Sequence, residues 1–160
     1  MSENPTTITA QPGTPFIEIV RDFDAPPALV FRASTEPELV VRWLGPREVE
    51  MRIDEYDVRP GGSYRYVHSD SDGTEYGFRG VFHGVSKDEQ IIQTFEFEGA
   101  PGQVCLETTT FEDLDGRTRI RTNSVFPSVE ARDAALASGM EHGINDSMDR
   151  LSEVLAEIGA

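Results

Sequence analysis

The 160-residue chain contains a single cysteine, Cys105, and a single lysine, Lys87. One cysteine excludes an intrachain disulfide and any cysteine-rich metal site. Basic residues are scarce altogether, 14 against 29 acidic ones, which gives a formal net charge of −15. Nucleic acid and anionic membrane surfaces both need basic patches, so this balance argues against either as a partner. No apolar run reaches the roughly 18 residues of a membrane-spanning helix. The N-terminus also lacks a basic stretch followed by an apolar one, so no leader and no membrane insertion are expected, and the cytoplasm is the expected location. Nucleophile elbows of the Gly-x-Ser-x-Gly kind and phosphate-cradling glycine loops are missing. Pro60-Gly61-Gly62 has no lysine after it and reads as a turn. His68, His83 and His142 are scattered without metal-ligand spacing, so neither a metal nor a cofactor is expected.

What the chain does have is enough apolar material for one core. Hydrophobic residues make up 38%, with nine phenylalanines, four tyrosines and one tryptophan spread along the length. Its size suits one domain, since domains run to about 100–200 residues. Residues 1–14 are polar with two prolines and read as a disordered tail, leaving 15–160 as the domain. Phe16 to Asp24 alternates apolar and polar and predicts a strand. Ala28–Ser34 predicts a short helix after Pro26-Pro27, and Thr35 caps a second that runs to Trp43. From Glu48 the period becomes two, and about six strands follow, separated by glycine-, proline- and aspartate-rich turns. Short links between successive strands imply an antiparallel meander.

The stretch from Pro127 to Gly159 predicts one long amphipathic helix. Leu136, Met140, Ile144, Met148, Leu151 and Leu155 recur at intervals of three and four and form one stripe. Gly139 and Gly143 lie on the same side, where a glycine costs roughly 1 kcal/mol against alanine. Their presence suggests a hollow helix surface, with either another backbone close by or a cavity beneath. Strands that need a lid, followed by such a helix, predict an α+β fold: a curved antiparallel sheet of about six to seven strands wrapped around the C-terminal helix.

Four segments, Val20–Pro46, Asp57–Tyr66, Phe78–Gly99 and Gly116–Leu155, together resemble the activator of heat-shock-protein-90 ATPase homologue-like family. "APP…VF…T.P….W.GP", "RPGG" and "SGMEHG" carry the likeness. That family lies in the START/SRPBCC superfamily, and the resemblance implies the helix-grip fold with a hydrophobic cavity. Members resemble lipid carriers, polyketide cyclases, antibiotic-sequestering proteins and co-chaperone domains. The resemblance supplies no universal catalytic motif, and it allows a homodimer or a chaperone partner.

A ligand wall is therefore expected from Trp43, Tyr66, Phe78, Phe82, Phe95, Phe97, Met140, Ile144 and Met148. Trp43 serves equally as a core plug or as a pocket wall. Against a cavity stands the usual tight filling of interiors. His68, near a hairpin loop, reads as solvent-exposed. For the strand 103–112 the facing is open. If Phe111 points inward, so does Glu107, whose pKa would rise in an apolar pocket; otherwise Glu107 is a surface partner of Arg121. The expected function is binding of a small hydrophobic or aromatic molecule. A cyclase- or hydrolase-like enzyme and a co-chaperone module are the alternatives.

Overall fold

In the computed structural model, which describes residues 4–159, structure begins earlier than the sequence suggests. Thr7–Thr9 forms strand β1 and pairs antiparallel with β2, Phe16–Phe23, with Ile8 opposite Ile19. The expected tail thus contributes an edge strand. A β-branched Thr-Ile-Thr triplet suits the half-buried edge of β2, which would otherwise present unpaired backbone groups. Residues 1–3 lie outside the described residues. Helix α1 spans Pro27–Thr35, and its opening proline gives up an N–H that has no intrahelical acceptor. Helix α2 is shorter than expected, Pro37–Val40, and only single turns carry the chain on to Trp43 and Leu44.

Six strands follow: β3 Glu50–Tyr56, β4 Ser63–Ser69, β5 Glu75–Ser86, β6 Gln90–Phe97, β7 Cys105–Asp113 and β8 Thr118–Val125. With β1 and β2 they make one eight-stranded antiparallel sheet in the order β1-β2-β8-β7-β6-β5-β4-β3. Helices α1 and α2 carry the chain from β2 to the opposite edge at β3. No helix among the described residues is long and apolar enough to cross a membrane.

The C-terminal segment is two helices, α3 Val129–Ala137 and α4 Met140–Ile158. Ser128 caps α3, its hydroxyl accepting from the Ala131 N–H at 3.0 Å. The expected single helix breaks because Gly139 sits at φ +87°, a left-handed conformation that cannot continue a right-handed helix. A Cβ on Gly139 would meet nothing within 4 Å, and one on Gly143 would meet only Pro46 Cδ at 3.8 Å. Neither glycine is kept small by a close neighbour, and Gly139 is exposed at the surface. Gly139→Ala should destabilise the protein by about 1 kcal/mol through strain at positive φ. Gly143→Ala, inside α4 with space for a methyl, should stabilise it by up to about 1 kcal/mol. Urea unfolding of the two variants checks these opposite signs.

Burial is densest where α1, α2 and the C-terminal half of α4 meet the sheet. Phe23, Phe31, Trp43, Phe82, Phe111, Ile120, Leu151, Val154 and Leu155 are buried in one cluster. Polar groups lock α4 in place. Arg21, buried on β2, donates to Asp149 Oδ1 at 2.8 Å and to Thr6 Oγ1 at 3.0 Å. Arg150 donates to the carbonyls of Gly45 and Arg42, and the Gly45 N–H donates to Ser147 Oγ at 2.7 Å.

Candidate ligand-binding site

Strand register decides which side chains share the concave face beneath α4. Gln93 on β6 stands opposite Glu107 on β7, Glu107 opposite Ser124 on β8, and Ser124 opposite Ile17 on β2. Phe82 on β5 faces Gln93 from the other side. This row crosses the middle of the sheet, and Ile17 and Phe82 in it are fully buried, so the whole row points inward. The open question of β7 facing is settled by the same register: Cys105, Glu107, Thr109 and Phe111 point in, and Leu106 is exposed.

Glu107 is the residue of most chemical interest. It is not the surface partner of Arg121, which donates instead to Glu112 and Glu18 on the convex face. Ser124 donates its hydroxyl to Glu107 Oε2 at 3.1 Å. Burial pushes the Glu107 carboxyl above its ordinary pKa of 4.5, and the Ser124 bond offsets this only in part. The facing ionisable groups are Tyr64, Tyr66 and Cys105; burial, with a further push from Glu107, raises all three, the Cys105 thiol to about 12. Among the described residues no cationic side chain pairs with Glu107. Yet Glu107 is only half-buried by water-accessible surface, as are Gln93, Phe95, Thr109 and Thr122 around it. Inward-facing side chains that keep accessible surface leave room beside them on the concave side. Met148, which touches the core cluster, and Ile144, one turn earlier on the same stripe of α4, are half-buried as well.

A pH prediction follows. A carboxyl whose folded pKa is raised disfavours the native state progressively as pH climbs from its unfolded value of 4.5 through its folded value. Glu107→Gln should therefore gain stability over the parent at pH 8 and lose that advantage near pH 4, by roughly 1.4 kcal/mol for each unit by which the pKa is raised. Denaturant melts of both proteins across this range measure the difference, in which the other acids cancel.

The expected wall residues fall into two groups. Phe78, Phe95, Phe97, Met140, Ile144 and Met148 are half-buried, whereas Trp43, Tyr66 and Phe82 are 8%, 6% and 1% exposed. Trp43 acts as the plug: its indole N–H donates to the Ala33 carbonyl at 2.9 Å and ties α1 to the α2 turn. Phe82 is clamped between Tyr56 and Tyr64, with ring centroids 5.6 and 5.2 Å away. Tyr66, Phe78 and Phe95 form a stacked row, 5.2 and 5.6 Å between successive centroids, running from β4 to β6. Among the described residues the Tyr66 hydroxyl makes no hydrogen bond, while Tyr64 donates to the Thr94 carbonyl at 2.6 Å.

His68 corrects another expectation. It is 8% exposed, not at the surface, because its ring lies 5.1 Å from the rings of both Tyr66 and Phe78 and covers Gly45. Burial lowers its pKa, so it is neutral, and its Nε2 has no partner. Sequence reading also missed a through-space group. Glu48, His142 and Asp146 bring one ligand atom each within 4.8 Å of one another at the surface. His142 Nε2 lies 2.8 Å from Glu48, which raises the imidazole pKa, and the trio serves as an ion-pair link between the Pro46 loop and α4. A groove of about 490 Å³ on the convex side is lined by Arg65, Val67, Tyr76 and Glu98 among others. Its cation is already engaged, since Arg65 donates to Glu98 and Asp54.

Comparison with known proteins agrees with this architecture. The sequence pattern described as "Activator of Hsp90 ATPase homolog 1-like protein" matches residues 24–156. No curated protein matches the chain. Among solved structures, a protein from Arthrobacter aurescens is 25% identical with a TM-score of 0.87, over 94% of this chain and 91% of that one. One from Rhodobacter sphaeroides is 25% identical with a TM-score of 0.87, over 96% and 99%. A protein described as putative in the dynemicin biosynthetic locus shares the fold at 20% identity and a TM-score of 0.65, over 89% of this chain and 47% of its own length.

Proposed function

The chain belongs to the Activator of Hsp90 ATPase homolog 1-like family, and on that premise we propose that it binds a small hydrophobic or aromatic molecule between its sheet and α4. One observation carries the reading: Glu107 points inward from the concave face of the sheet yet keeps water-accessible surface, as do Gln93 and Phe95 on the neighbouring strand. Pockets of this kind combine an apolar wall with a few polar groups that orient the guest. Phe78, Phe95, Ile144 and Met148 are the wall, and Glu107 with the Tyr66 hydroxyl are the orienting groups. Met148 and Met140 adapt their shape to different guests. Burying apolar ligand surface at roughly 25 cal/mol per Å² brings a medium-sized guest to micromolar affinity.

Titration with aromatic polyketides and fatty acids, followed by Trp43 fluorescence and calorimetry, tests the reading. A saturable response that Phe95→Ala or Met148→Trp removes is the expected result. No saturable binding anywhere in the panel would sink it.

A second reading is favoured by the inward facing of Glu107, Tyr66 and His68 together. There the same space orients a flexible substrate for cyclase- or hydrolase-like chemistry, with Glu107 as the acid or base. Conversion of a bound polyketide that Glu107→Gln abolishes would decide for chemistry; recovery of the guest unchanged would decide for binding alone. The co-chaperone reading ranks last and is checked by retention on an immobilised heat-shock-protein-90 homologue.

A further inference from the structure

Building on that binding reading, we propose that the preferred guest is a lipophilic amine, whose protonated nitrogen lies against Glu107 and Tyr66 while its apolar body fills the space under α4. The polar groups left for a guest are acceptors in excess. Glu107 offers a carboxyl oxygen beyond the one engaged by Ser124, and the Tyr66 hydroxyl, on a side chain 6% exposed, has no partner among the described residues. An ammonium, with donors only, satisfies both at once.

The surroundings of Glu107 lack what a buried carboxylate requires. Its neighbours on the sheet are neutral: Gln93 from β6, Cys105 and Thr109 from β7, Ser124 and Thr122 from β8, Tyr64 and Tyr66 from β4. His68, farther along β4, is neutral as well, and Arg21 on β2 is committed to Asp149. A carboxylate left without a cation in a low-dielectric site is costly, and a cationic guest supplies the missing charge. The stacked row Tyr66–Phe78–Phe95 adds π faces that attract a cation. An anionic guest such as a fatty acid meets the reverse: a second carboxylate beside Glu107, inside a chain of net charge −15. The concave face thus discriminates by charge.

Three probes of nearly equal shape test this by calorimetry at pH 7: naphthylmethylamine, naphthylmethanol and naphthoate. The amine should bind about tenfold or more tighter than the alcohol, a difference of about 1.4 kcal/mol, and naphthoate should not saturate. Glu107→Gln should erase the amine's advantage over the alcohol. Should that variant fail to fold, Tyr66→Phe should weaken the amine at least several-fold more than the alcohol. Equal binding of amine and alcohol, tightest binding of naphthoate, or an amine preference that survives Glu107→Gln would overturn the inference while the cavity reading stands. Absence of binding by all three probes would remove the cavity reading and this inference with it.

Discussion

Truncating Leu151 to alanine should destabilise the protein by about 3–4 kcal/mol, whereas the same truncation at Met148 should cost about 1 kcal/mol. The two side chains lie three residues apart on the same stripe of α4, and both touch the core cluster. They differ in what faces them. Leu151 has no exposed surface and lies in the cluster with Phe31, Phe111, Val154 and Leu155. Removing it leaves a void that rigid neighbours cannot fill, so the lost transfer energy and the cavity cost add. Met148 is only half-buried, at the margin of that cluster. A side chain at the edge of a hollow has already forfeited dispersion contacts on one side, and its loss enlarges an existing space instead of opening a new one. For a chain of this size each kcal/mol moves Tm by roughly 2–4 °C, so the two variants should separate clearly by calorimetry. Equal costs would mean that the space under α4 is filled in solution, and the binding reading would lose its main support.

That contrast also shows how far the sequence could be read. The helix-grip fold was legible because α4 carries an apolar stripe with period 3.6 and most of the strands from β3 to β8 alternate with period two; both patterns carry into the structure. The identity of the concave face was legible on β4, β5 and β6, where Tyr66, Phe78 and Phe95 alternate with polar residues. It was not legible on β7, where Thr108, Thr109 and Thr110 give no contrast between faces; only pairing with β8 fixes Glu107 inward. His68 was misread because a hairpin position usually means exposure, and its cover, the Gly45 turn, comes from a segment far away in the chain. The break at Gly139 was misread for a different reason. A glycine in an apolar repeat is consistent with a small residue facing a void or with a left-handed turn, and only φ distinguishes them. The influence of Glu107 on the buried Tyr66 hydroxyl has no sequence signal at all, since it reaches from β7 to β4 across two intervening strands.

Gly80→Ala should cost about 3 kcal/mol or more in stability and should block the binding space as well. Gly80 lies between Tyr64 on β4 and Phe95 on β6, on the concave side. The absence of a side chain there lets the Tyr64 ring lie flat across β5 and reach the Thr94 carbonyl at 2.6 Å. A Cβ at residue 80 would overlap that carbonyl oxygen and stand 2.6 Å from the Tyr64 hydroxyl. Relief by moving Thr94 means parting β5 from β6 in the middle of the sheet. Relief by moving Tyr64 swings its ring into the space over Glu107 and breaks its hydrogen bond. Tyr64→Phe separates these contributions: it keeps the ring and loses only the bond to Thr94, at about 1 kcal/mol. Because the backbone overlap persists without the hydroxyl, the Gly80→Ala cost should remain within about 0.5 kcal/mol when it is measured in the Tyr64→Phe background. A large recovery there would show that the hydroxyl, not the sheet backbone, sets the cost. If Gly80→Ala leaves both stability and guest affinity intact, Tyr64 does not cross the sheet floor in solution, and the concave face described above is not the one the protein uses.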